Sequence, residues 1–126
     1  MTEAQRKPVG MWGRAVRRLT SSDAEYVDDE LASLARDSGC ETLDGCTAGS
    51  RVHVQGRITM VTLSPRGGRD WLEADVRDGT GSLTLVWMGR RSIRGIEAGR
   101  MVRVRGRLAQ RGRRRVMYNP HYELVD

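Results

Sequence analysis

The apolar positions of the chain change period near Arg51, which divides the sequence into a helical part and a strand-rich part. Before that point Val27, Leu31, Leu34 and Ala35 recur at steps of four, three and one, the stripe of an amphipathic helix. Ser22-Asp23-Ala24-Glu25 reads as a capping box, with Ser22 as N-cap and Glu25 able to bond back to it, and Gly39 supplies the stop. These signals predict a helix over about residues 22–38. Upstream, Met11, Trp12, Val16 and Leu19 sit near helical spacing and predict a short helix over Gly10 to Leu19, against the cost of Gly10 and Gly13. Cys40 to Ser50, with Gly45, Ala48 and Gly49, reads as a linker.

From Arg51 the period is two. Val52 and Val54, then Ile58 and Met60, alternate with polar neighbours around Gly56, where a bulge or sharp coil is expected. Ser64 to Asp70 is a loop by composition. Leu72, Ala74 and Val76 alternate with Trp71, Glu73, Asp75 and Arg77 in a second strand. Asp78-Gly79-Thr80-Gly81 is a hairpin turn in which Asp-Gly supplies the positive φ angles. Leu83, Leu85 and Trp87 form the inner side of a third strand. An irregular or helical link, Gly89 to Gly99, carries Ile93 and Ile96. Val102, Val104 and Leu108 alternate with Arg103, Arg105 and Arg107 around Gly106, and Arg114 to Val125 holds a fifth strand interrupted at Pro120. Five strands, a strongly coiled first strand and a long link between the third and fourth predict an all-β fold. It is a five-stranded OB-fold Greek-key barrel preceded by an acidic N-terminal α-helix. An SH3-like barrel has a similar composition but no use for a long connection there. The domain division expected is an N-terminal segment, 1–50, and an OB domain, 51–126.

Charge sharpens this division. The net charge is +6, yet residues 1–50 carry six basic and nine acidic side chains, while residues 51–126 carry sixteen and seven. Lys7 is the only lysine, so the basic half is built from arginine, which offers a planar fork for phosphate and a flat face for stacking. A GC-rich genome explains arginine over lysine; it does not explain the imbalance of sign. The acidic helix is either a solvated cap whose carboxylates favour the helix dipole or an internal competitor for a nucleic-acid groove. No run of apolar residues is long enough to span a membrane, and Met1 to Pro8 is polar and basic with no apolar h-region behind it, so neither a transmembrane helix nor a signal peptide is expected, and a cytoplasmic, reducing setting without membrane contact is.

Candidate chemistry is sparse. Cys40 and Cys46, with His53 and His121, lack the paired spacing of a zinc site and read as free thiols and separate histidines, so neither metal nor cofactor is expected. No nucleophile elbow, phosphate loop or His-Glu-x-x-His motif is present, and the acidic residues form no catalytic pair, so the sequence carries no enzyme signature.

Five stretches carry a family resemblance: Val52-His53-Val54-Gln55-Gly56-Arg57-Ile58, Asp78-Gly79-Thr80-Gly81-Ser82-Leu83, Ile96-Glu97-Ala98-Gly99-Arg100, Val102-Arg103-Val104-Arg105-Gly106 and Asn119-Pro120-His121-Tyr122-Glu123-Leu124. Together they resemble the anticodon-binding type of OB domain, among them the wedge domain of RecG helicase. The whole chain is also similar to small actinobacterial stand-alone OB-fold proteins. The resemblance covers about Arg51 to Val125 and implies nucleic-acid binding without chemistry of its own. The chain has no counterpart of the helicase motor, and positions before Ser50 match nothing in the helicase.

An OB barrel binds single strands across its second and third strands, between the first-second and fourth-fifth loops. In this chain those loops hold Arg66 and Arg69, and Arg111, Arg113, Arg114 and Arg115. Strand parity turns Trp71 outward with Glu73 and Arg77, as the stacking aromatic, and sends Trp87 into the core. Glu73 and Asp75 on that face are unfavourable to phosphate. Arg103, Arg105 and Arg107, next to Arg57, either extend the track or form a solvated face, and Tyr118 and Tyr122 read as closing-strand packing. The expected partner is single-stranded DNA or structured RNA. The alternative is a protein-interaction adaptor that uses the barrel, the Trp12 segment and the stripe of the acidic helix.

Overall fold

The computed structural model describes the backbone of residues 12–125 and the side chains from Ala24 to Val125. Helix α1 (Trp12–Asp37) leads through a 3-10 turn (Leu43–Gly45) into seven strands. These are β1 (Arg51–Arg66), β2 (Arg69–Arg77), β3 (Ser82–Met88), β4 (Met101–Arg107), β5 (Ala109–Arg111), β6 (Arg114–Tyr118) and β7 (His121–Val125). The chain divides into two compact units between Glu30 and Leu31, the second of which holds the end of α1 and every strand.

α1 begins at Trp12 rather than at Ser22. Ser22 is therefore helical in backbone and cannot be an N-cap, whose backbone lies outside the helix. The apolar patterns on either side of it join into one helix, because extending a formed helix through two serines costs only their small propensity deficit. Gly10 and Met11, at the start of the expected upstream helix, lie outside the described residues, as does the Trp12 side chain. The stop agrees with expectation: Gly39 has φ +80, and the Ser38 N–H donates to the Leu34 carbonyl at 3.0 Å. Within the second unit the buried face of the helix is Leu31, Ala32 and Ala35, while Leu34 is 40% exposed.

Residues 40–50 are not a linker. Leu43 is fully buried within the strand core, Glu41 pairs with Val54 in a parallel bridge, and the Gly49 N–H donates to the Leu108 carbonyl at 2.7 Å. The anchor is Asp78, itself 1% exposed. Its Oδ2 accepts the Leu43 N–H at 2.7 Å, and its Oδ1 accepts the Thr80 N–H and hydroxyl at 2.8 Å and the Gly81 N–H at 3.0 Å. The 78–81 turn is thus an Asx-type turn with positive φ at Gly79 alone, not at Asp78. Leu43→Ala is expected to cost about 2–5 kcal/mol, the range for deleting a fully buried leucine. Urea unfolding of the two proteins measures it, and a cost near zero would return the segment to the status of a linker.

The strands form one sheet in the order β5-β6-β3-β2-β1-β4-β7. β1 bends from one partner to the next: residues 51–57 pair with β4 and residues 57–66 with β2, all antiparallel. Gly56 is required at the bend, since a Cβ there would lie 2.6 Å from the Arg77 carbonyl oxygen and from the Val76 Cγ1. The bulge expected at this glycine falls further on, between Ile58 and Met60.

The fifth expected strand is bent in two at Asn119-Pro120, and the expected loop after Leu108 opens with a further short strand, β5, so five strands become seven. Asn119, at φ +48, supplies the bend. β6 pairs with β5 and, in parallel, with β3, whereas β7 pairs with β4. The ladder ends at β5 and β7 instead of closing into an uninterrupted ring. Inside lie Ile58, Ala74, Leu85, Val102, Leu108 and Met117, together with Ile93 and Ile96 from the connection between β3 and β4.

Candidate nucleic-acid interface

The site begins with two tight hairpins. Gly67 and Gly68, at φ +56 and +79, close the β1–β2 hairpin as a two-residue turn with positive φ at both positions, the geometry that matches strand twist. The expected loop from Ser64 to Asp70 is therefore almost entirely strand. Likewise only Gly112 and Arg113 lie between β5 and β6. Arg66, Arg69, Arg111 and Arg114 are held on strand ends rather than on loops, so their directions are set by the pleat.

Register then assembles the outer face. Trp71 lies opposite Ser64 and Met88; Glu73 opposite Thr62 and Val86, with Tyr118 beyond Val86; Asp75 opposite Met60 and Thr84. Leu72, Ala74 and Val76 are buried and Trp71 is half-exposed, as parity requires. Trp87 is 5% exposed, and its Nε1–H donates to the Pro120 carbonyl at 3.3 Å.

A chain of cations and rings runs along this face. The Arg66 guanidinium lies over Trp71, 5.2 Å from the ring centroid. Trp71 meets Tyr118 edge to face at 6.5 Å, and the Arg111 guanidinium lies 5.6 Å from the Tyr118 centroid while its Nε–H donates to the hydroxyl at 3.2 Å. That hydrogen bond raises the Arg111 pKa further above its usual high value. Glu73 sits beneath the track, 3.6 Å from Arg66 and 3.7 Å from Arg114, so its charge is met by two cations. Asp75 accepts the Thr84 hydroxyl at 2.9 Å, and Thr84 in turn accepts from Arg114 Nη2 at 3.1 Å. The two carboxylates expected to repel phosphate therefore position arginines.

Of the residues singled out in the sequence, Arg66, Trp71, Arg111 and Arg114 come together. Arg69 is exposed opposite Arg66 at the hairpin end. Arg77 and Arg113 line a cleft with Arg114, Arg115 and Thr59 beside the track. Arg115 is turned toward the barrel end: a Cβ on Gly81 would lie 3.0 Å from its Nη1. Arg57 is half-buried at the bend of β1, paired with Met101 and Arg77. Tyr118 was expected only to pack; it is half-exposed and completes the track, because register sets it beside Val86, itself opposite Glu73, on the side of the sheet away from the core cluster. Tyr122 does pack, edge to face on Trp87 at 5.9 Å, with its hydroxyl donating to the Arg94 carbonyl.

Cys40 and Cys46 are free thiols. Burial, together with Glu41 and Asp78, raises the Cys46 pKa. Among the described residues no three His, Cys, Asp or Glu side chains are placed to hold a metal, and no helix is long and apolar enough to cross a membrane.

The family model described as the OB-fold nucleic acid binding domain matches residues 52–125, and the chain belongs to this family. No curated relative matches it in sequence. Among solved structures, RecG bound to a three-way DNA junction is similar with a TM-score of 0.59 and 20% identity, over 68% of this chain and 12% of that one. The HINb domain of p204 is similar with a TM-score of 0.57 and 14% identity, over 71% of this chain and 49% of that one. The chain thus spans less than two thirds of either, and at these identities the likeness is one of fold.

Proposed function

We propose that the chain is a non-enzymatic binding module for single-stranded nucleic acid, held on the outer face of β2, β3 and β6. The observation that carries this reading is the alternation Arg66, Trp71, Tyr118, Arg111, in which each ring has a cation over or beside it. Rings stack on unpaired bases of any sequence, and the guanidinium groups meet the phosphates between them. Arg69, Arg113 and Arg114 extend the positive charge at both hairpin ends, and Arg77 and Arg115 flank it. The match to a nucleic acid binding domain family supports a role in binding rather than catalysis. Single-stranded DNA and RNA both present the bases and phosphates the track accepts.

A salt series tests the reading. With about five arginines on phosphates, the slope of log affinity against log salt is expected near −3.5, at about −0.7 per contact on a single strand. Fluorescence anisotropy with labelled DNA and RNA strands measures it. A slope near zero, or no binding at low salt, would favour a protein-interaction adaptor.

A further inference from the structure

The first half of β1, with β4 and β7, forms a second outer face that shares no residue with the aromatic track. Register sets His53, Arg105 and His121 in one row across the three strands, and Gln55, Arg103 and Glu123 in the next; Arg51 stands opposite Arg107. Arg51, His53, Arg105 and His121 are exposed. Two adjoining clefts open here, and His53, Arg105 and His121 line both. Arg103 is fixed by its Nε–H, which donates to the Gln55 Oε1 at 2.7 Å, and Arg107 is tied to the Gly49 carbonyl. The carboxylates of the face are Glu123 and Glu41, the latter accepting the His53 backbone N–H at 2.9 Å. Arginines therefore outnumber acids, and they stand at strand spacing, roughly 7 Å along a strand and about 5 Å across.

The cations of this face decide its ligand. Its rings are two exposed imidazoles, His53 and His121, in the row with Arg105, and Tyr122, which borders the second cleft and is packed edge to face on Trp87. No row of Trp or Tyr faces outward between the arginines, whereas phosphates meet Arg51 and Arg105 beside the tethered Arg103 and Arg107. We propose that this face grips the phosphate backbone of a nucleic-acid duplex, whose paired bases are already stacked inside and whose charges line the outside. The inference rests on the nucleic-acid reading above and extends it: one protein would hold a single strand on one face and a duplex on the other.

The test uses the full chain with a labelled single strand and a blunt duplex of the same sequence. Arg51→Glu/Arg105→Glu is expected to weaken duplex binding by about tenfold or more and to reduce the duplex salt slope by about two, at about 0.9 per phosphate. Single-strand affinity should stay within about twofold. If charge reversal disturbs folding, Arg105→Gln alone should weaken the duplex and lower its slope by about one. Duplex binding that survives these changes, or an equal loss for both ligands, overturns the proposal. Wild-type protein that binds the single strand but no duplex also overturns it and leaves the single-strand reading standing. Protein that binds neither removes both.

Discussion

Trp87→Ala is expected to destabilise the protein by about 3–5 kcal/mol, while Trp71→Ala costs about 1 kcal/mol. Both tryptophans lie on neighbouring strands of one sheet, yet their surroundings differ. Trp87 is almost fully buried, hydrogen-bonded to the Pro120 carbonyl and packed on Tyr122, so its loss leaves a cavity and an unpaired carbonyl. Trp71 rests on the outer face between Arg66 and Tyr118, and its removal is repaired by water and by side-chain movement. With about 4 °C of melting temperature per kcal/mol in a domain of this size, the two variants should differ by roughly 10 °C. Thermal unfolding followed by circular dichroism measures this. Equal losses would mean that the outer face is part of the core and not a binding surface.

The assignment of these two side chains was legible in the sequence because polar residues mark the outer positions, Glu73 and Asp75 between Leu72, Ala74 and Val76 in β2, and Thr84 between Leu83 and Leu85 in β3. Tyr118 was not legible for the converse reason. Val116 and Met117 are adjacent and both buried, one on each side of β6, so alternation says nothing about which way the next residue points. Only the parallel pairing of β6 with β3 decides it, and that contact joins residues far apart in sequence. Leu43 escaped for a similar cause. A single leucine in a polar run has no period, and its burial depends on a carboxylate far along the chain, Asp78. The hairpin ends were within reach: Gly67-Gly68 can close a two-residue turn, and composition alone hid this by suggesting a longer loop. The long reach of α1 was obscured by a capping motif that packing of the chain into one continuous helix overrides.

Removing both rings of the track should abolish most of the binding. Loss of one base-aromatic stack costs about 1–3 kcal/mol, so Trp71→Ala/Tyr118→Ala is expected to cost about 2–6 kcal/mol of affinity for a single strand. The two rings touch, at 6.5 Å between centroids, so the double variant reports their coupling as well as their sum. A double loss smaller than the sum of the single losses indicates that both rings hold the same base. Anisotropy titrations of the two single variants and the double variant, each confirmed as folded by its melting curve, supply these numbers. Affinity unchanged in the double variant would leave the arginines as a non-specific cationic surface.

The most direct measurement is ultraviolet cross-linking of a bound single strand, followed by mass spectrometry of the digested protein. Direct contact between bases and rings predicts adducts on the peptides that carry Trp71 and Tyr118, lost when excess unlabelled strand competes. Adducts confined to β4 and β7, or none at all under conditions where binding is saturated, would contradict the single-strand site on β2, β3 and β6.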